Sequence, residues 1–261
     1  TSGDAAAGDP DATPAPDPAL DAGTPTGLTL GAGKISIEGS TINVNMSADL
    51  VGKPFSLAPT IRYGVNDKLT IGITHDRGTT RFSPRPLAGA GICLSGDENG
   101  CGKVYNNVGI DALFGLAAGK FSAAAHVGYD ILSISDPFIS GVRLGVLGKY
   151  DVNEKIAITF DPFIYIGATE RDGMLPNKEQ INVPVYLWFA ANPQIGAYVA
   201  SGIAGPLDGF GDAYDVPLGV GLNYAVNAQL GVGVDFWFDN IGGKGSSADA
   251  RTLGVRAAYA L

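Results

Sequence analysis

The feature that most constrains this chain is an alternation of period two. From about residue 40 onward, apolar residues alternate with small or polar ones in pieces of 9–14 residues. The clearest case is Leu230-Gly-Val-Gly-Val-Asp-Phe-Trp-Phe. Leu230, Val232, Val234, Phe236 and Phe238 share one face, while Gly231, Gly233, Asp235, Trp237 and Asp239 share the other. Leu69, Ile71 and Ile73 oppose Thr70, Gly72 and Thr74 in the same way. Phe121, Ala123, Ala125, Val127, Tyr129 and Ile131 oppose Ser122, Ala124, His126, Gly128 and Asp130. Successive side chains of a strand point to opposite faces, so such a chain is all β, with one greasy face.

The other face decides between a soluble sandwich and a membrane barrel. A sandwich exposes many Lys, Glu and Thr to water. Here the second face carries mainly Gly, Ser, Ala and scattered charges, which suits a confined lumen. Composition agrees: charged residues are 16% and glycines number 38. The longest apolar stretch, Val183 to Ala191, has nine residues and is interrupted by Pro184. A helical span needs about twenty apolar residues, so the chain cannot cross a membrane as a helix. The expected fold is a closed antiparallel transmembrane barrel, an up-and-down meander of about twelve strands. The strands are expected at 40–49, 55–64, 68–77, 105–116, 121–134, 138–150, 155–169, 180–190, 194–204, 212–225, 228–240 and 250–261. Ile35 and Ile37 sit in one phase and Ile42, Val44 and Met46 in the other, so Gly39 marks either a bulge or a separate short strand.

The turns repeat. Tyr63-Gly-Val-Asn-Asp-Lys-Leu69, Tyr150-Asp-Val-Asn-Glu-Lys-Ile156 and Tyr224-Ala-Val-Asn-Ala-Gln-Leu230 share a pattern. Leu116-Ala-Ala-Gly-Lys-Phe121 and Phe189-Ala-Ala-Asn-Pro-Gln-Ile195 are similar in shape. Asn and Gly accept the left-handed conformation of tight hairpins. The other connections, 78–104, 135–137, 170–179, 205–211 and 241–249, are less regular and mostly longer. Short turns alternating with long loops is the outer-membrane layout, with the short turns periplasmic. Tyr63, Phe114, Phe121, Tyr150, Phe189, Tyr224 and Tyr259 all fall on the outward face near the short-turn end, where an interfacial aromatic girdle belongs.

On this strand phase, turn parity, girdle and C-terminal strand, residues 40–261 resemble bacterial outer-membrane β-barrels of the twelve-strand kind. In such barrels the last strand commonly ends in Phe, with an aromatic residue two positions earlier. Tyr259 fits and Leu261 departs. The resemblance implies outer-membrane lipid as the surrounding medium and export to the bacterial outer membrane. No leader is visible in Thr-Ser-Gly-Asp, so a signal peptide is expected to have been removed before Thr1.

Residues 1–26 differ from the barrel. They hold five Asp, five Pro and seven Ala and no Lys, Arg or aromatic residue, a charge of −5. The expectation is a disordered periplasmic tail, since such a segment buries too little apolar surface to offset its ordering entropy. Its alternative role is docking on another envelope protein or on the lumen. Cys93 and Cys101, eight apart in a Gly-rich loop, favour a disulfide and an oxidising compartment.

The strand phase directs Arg62, Asp76, Asp111, His126, Asp130, Arg143, Lys149, Asp161, Asp215, Asp235, Asp239 and Arg256 into the lumen. Inward Gly favours a water-filled interior. Inward Tyr165, Tyr186, Trp188, Tyr198 and Trp237 either fill it or form a track on which sugars stack. Asp130 lies four residues from His126, about 13–14 Å along a strand, too far for contact. Asp111 or Arg143 on neighbouring strands are the available partners of His126. His75 and Asp76 face opposite sides, which disfavours an omptin-like cleft or a phospholipase triad. No catalytic set, metal site or cofactor is expected. Loop acids Asp97, Glu98, Asp208 and Asp212 fit no calcium loop and read as solvated. Nothing basic points to nucleic acid. The leading expectation is a passive channel for small hydrophilic solutes with a mild cation preference. The alternative is a structural or partner-binding barrel using the tail or surface loops, and a rim hydrolase is less favoured.

Overall fold

The computed structural model describes residues 27–46, 54–75, 91–99, 101, 103–172, 176–244 and 247–261. The expected tail and lumen residue Asp76 lie outside them. The strands are β1 (Ile35–Asn45), β2 (Phe55–Asn66), β3 (Leu69–Thr74), β4 (Ile92–Cys93), β5 (Val108–Ala117), β6 (Phe121–Ser133) and β7 (Ile139–Asn153). They continue as β8 (Ile156–Phe160), β9 (Phe163–Gly167), β10 (Gln180–Ala190), β11 (Ile195–Pro206), β12 (Asp215–Ala225), β13 (Leu230–Gly243) and β14 (Ser247–Ala260). Consecutive strands pair antiparallel, except that β3 pairs with β5 past β4 and that β8 and β9 do not pair with each other, and β1 pairs with both β2 and β14. The sheet is therefore a closed cylinder without edges. β8 and β9 both lie between β7 and β10 and make one stave, so twelve staves surround the lumen.

Several boundaries depart from the sequence expectation. The first strand begins at Ile35, not at residue 40, and its register shifts between Ser40 and Ile42. That bulge reconciles the two phases, because one extra residue turns Ile37 and Ile42 to the same side. The expected continuous strand 155–169 is broken at Asp161-Pro162, since proline cannot donate to the ladder. β13 and β14 run to Gly243 and from Ser247, which shortens the connection expected at 241–249. β4 is a short addition that pairs with β2 at the long-loop end and carries Cys93, disulfide-bonded to Cys101.

The short turns close by a side-chain device. Asn66 Oδ1 accepts the amides of Lys68 and Leu69 at 2.9 and 3.0 Å. Asn227 Oδ1 does the same for Gln229 and Leu230 at 2.8 and 2.9 Å, and Asn192 for Gln194 and Ile195, both at 2.8 Å. Asn153 accepts from Lys155 at 2.8 Å. These are Asx turns. The expectation that Asn serves through a left-handed backbone is corrected: among the described non-glycine residues only Glu170 has positive φ. Gly119, at φ 138°, supplies that conformation in the fifth turn.

The exterior is apolar around the whole wall. Ile61, Ile71, Ile110, Val127, Leu144, Ile164, Val185, Val199, Val220, Val234 and Val255 are all exposed. In water such a continuous band is untenable, whereas in acyl chains it is the stable arrangement. All seven girdle aromatics are exposed on this face, at the short-turn end.

Candidate functional site: the lumen wall

The inner face divides into a charged arc and an aromatic arc. The charged arc runs through β14, β1, β2, β3, β5, β6, β7 and the β8–β9 stave. One hydrogen-bonded row crosses it as Arg62, Gly72, Asp111, Gly128 and Arg143, alternating a charge with a glycine. The glycines give the long side chains room to lie down. A Cβ at Gly72 would stand 2.5 Å from Asp111 Oδ1 and 3.2 Å from Arg62 Cγ, so both side chains lean over the same backbone.

Arg62 bonds Glu38 Oε2 at 2.7 Å, and Ser36 Oγ donates to Glu38 Oε1 at 2.7 Å. His126 stands between two carboxylates, with Nδ1 3.0 Å from both oxygens of Asp161 and Nε2 3.6 Å from Asp111 Oδ2. Asp161 reaches it because the break at Pro162 sets that residue at the interruption of the wall. Of the two partners expected for His126, Asp111 faces it. Arg143 instead donates Nε and Nη2 to Asp130 Oδ2 at 3.2 and 3.1 Å and lies over Phe163, 4.2 Å from the ring centre. Lys149 bonds Asp151 at 2.9 Å. Arg256 bonds Asp235 at 2.9 Å and Asn223 Oδ1 at 3.0 Å, and Thr252 donates to Asp239 at 2.8 Å. Asp215 sits at the mouth, exposed, with Asn240 Nδ2 donating to it at 2.6 Å.

Water contact differs sharply among these groups. The side chains of Glu38, Arg256, Arg62 and Asp161 are 38%, 30%, 27% and 22% exposed, whereas Asp130 is fully buried. The first four therefore face lumen solvent and the Asp130–Arg143 pair is part of the wall. A first strand starting at residue 40 excludes Glu38, which the observed start at Ile35 brings onto the inner face. Its phase with Ser36 is the signal that marks it once β1 starts at Ile35.

The aromatic arc spans β10 to β13. Tyr186 and Trp188 on β10, Tyr198 on β11 and Trp237 on β13 form one cluster. Glycines of β12 are its seats: the Tyr198 ring lies over Gly221 and the Trp237 ring over Gly219, each where a Cβ would collide with it. Tyr165, the fifth expected aromatic, is separate. It lies over Gly141, buried with Leu132, Ile139 and Phe163. The expectation that inward glycine simply leaves free volume is corrected, because these glycines are covered by rings or by laid-down charges. His75 is engaged at the rim: Nδ1 lies 3.0 Å from the Pro59 carbonyl oxygen and Nε2 2.9 Å from Tyr105 Oη.

No family profile matches this sequence, and no curated protein matches it. Solved structures do match in fold. The KdgM porin in complex with disordered oligogalacturonate has a TM-score of 0.57 at 11% identity, covering 86% of this chain and 98% of that one. The NanC porin gives 0.57 at 5% identity with the same coverages. An outer-membrane channel from Pseudomonas putida F1 gives 0.54 at 13% identity, covering 90% and 98%. The fold is that of bacterial outer-membrane porins, and the greasy exterior places the chain in the outer membrane.

Proposed function

We propose that the barrel is a passive channel for small hydrophilic solutes, with a mild preference for cations. The observation that carries this reading is the charge of the inner wall. Its described acids include Glu38, Asp111, Asp130, Asp151, Asp161, Asp235 and Asp239, which outnumber the bases Arg62, Arg143, Lys149 and Arg256 paired with them or beside them. Rings of acidic side chains favour cations in a pore, and opposed charges set a transverse field that screens solutes. Twelve staves also enclose more section than eight, which side chains just fill. The solute named for the KdgM porin is a polyanion, and an acid-rich wall disfavours such a molecule here.

Purified protein in planar bilayers should give stepwise currents; silence at every voltage and salt would overturn the reading. A second reading is a closed barrel that binds partners. The deep burial of Asp130, Tyr165 and Trp237 favours it. On that reading, residues 1–26 dock on an envelope protein, and their deletion abolishes a pull-down partner without changing the barrel.

A further inference from the structure

We propose that the aromatic arc is a binding platform for a neutral saccharide, with Tyr186 and Trp188 as the stacking surface. The proposal rests on the channel reading for its solute but not for its geometry.

Tyr186 and Trp188 alternate on one face of β10, two residues apart. Their ring planes are within 20° of parallel and their centres are 6.1 Å apart. The spacing is comparable to that between neighbouring rings in a chain of sugars. Both are partly open, unlike Tyr198 and Trp237, which are 3% and 2% exposed. The buried pair is the foundation and the open pair is the surface. Tyr198 approaches Trp188 to 4.9 Å, and Trp237 meets Tyr186 edge-on at 6.2 Å. Trp188 Nε1 donates to Thr159 Oγ1 at 2.9 Å, which fixes the indole in its plane. A rigid two-ring surface binds without losing much side-chain entropy.

The surroundings specify the ligand class. A pyranose has apolar C–H faces and a hydroxyl rim, so it needs flat aromatic surface beside hydrogen-bonding groups. Those groups stand at the Tyr198 end: the Arg256 guanidinium lies 5.1 Å over that ring, with Asn223 and Asp235 bonded to it. Arg256 is 30% exposed and so can reach a solute. An organic cation would also like aromatic faces, but a fixed guanidinium already stands on Tyr198 and repels a second positive charge. An anionic sugar meets the surplus acids of the wall.

The test uses a fortunate distribution. The chain has two tryptophans, and both are in this cluster. Intrinsic fluorescence of the detergent-solubilised full chain therefore reads the site directly, whether or not the barrel conducts. The probes are neutral trisaccharides of the gluco, manno and galacto series, with a galacturonic acid trimer and choline as charged controls. At least one neutral trisaccharide should give a saturable change and interrupt the bilayer current. Trp188→Ala and Tyr186→Ala should each weaken that binding about tenfold, as expected for loss of one stacked ring. Trp188→Phe should keep most of the affinity, read by the blockade. In Trp237→Phe the response of the remaining indole should persist. A conducting barrel that no neutral sugar touches, or one answered by choline or the acidic trimer alone, overturns the proposal. A silent barrel whose fluorescence still titrates with neutral sugar removes the channel reading and keeps the platform.

Discussion

The charged arc and the aromatic arc are built on the same device and yield opposite surfaces. In both, a glycine on one stave takes the side chain of the next. Across Gly72 the result is a pair of charges laid along the wall, and across Gly219 and Gly221 it is a pair of rings. The charged arc keeps Glu38, Arg62 and Asp161 partly in water, so it acts by field. The aromatic arc buries Tyr198 and Trp237 and offers only its upper rings, so it acts by contact. Glycine in a barrel interior thus sets which neighbour lies flat, rather than how much space is empty.

The largest effect should come from splitting the buried pair of the charged arc. Arg143→Ala leaves Asp130 charged in a dry part of the wall, and such truncations cost about 3–5 kcal/mol. Urea unfolding from detergent checks this, and a loss below about 1 kcal/mol would show that water reaches the pair. Next comes Gly219→Ala, which tests the seat beneath Trp237. The added methyl meets the indole, so destabilisation of about 1–3 kcal/mol is expected together with a shifted tryptophan emission. An unperturbed emission would mean that the ring does not lie there. Glu38→Gln belongs at the solvent-facing end of the scale. Its pair with Arg62 is partly exposed, so stability should change by about 0–1 kcal/mol. The cation preference should nevertheless fall, and an unchanged reversal potential would remove Glu38 from the conducting surface.

The smallest effect lies outside the wall. In the connection after β9, Arg171 bonds Glu179 at 2.7 Å, and that bond holds the Glu179 carboxyl below its ordinary value. A lowered folded value means the contribution is complete above the ordinary glutamate range and is lost as pH falls through the lowered value. Proteolysis at 168–179 should therefore accelerate only in acid, and Arg171→Ala should give the acid rate at neutral pH. Equal rates for both proteins at every pH would contradict the staple.

Much of the barrel was legible because strand phase is local. The alternation in 230–238 and the turn at Tyr224 to Leu230 fix which face is greasy and where the chain reverses. Side-chain pairing was less legible because it is set across staves. Asp161 meets His126 only through a proline break, and 35 residues separate them. Glu38 was hidden by the bulge after Ser40, which reverses the phase that identifies an inward residue. The aromatic cluster was readable as inward positions, but not as rings seated on β12, since that needs the β11–β12–β13 registers.

The most direct test is the reversal potential of the intact chain in a bilayer under a potassium chloride gradient. With acids outnumbering bases on the described wall, the sign should be that of a potassium-selective pathway, weakening as salt rises and screens the wall. A chloride-selective sign at low salt would contradict it.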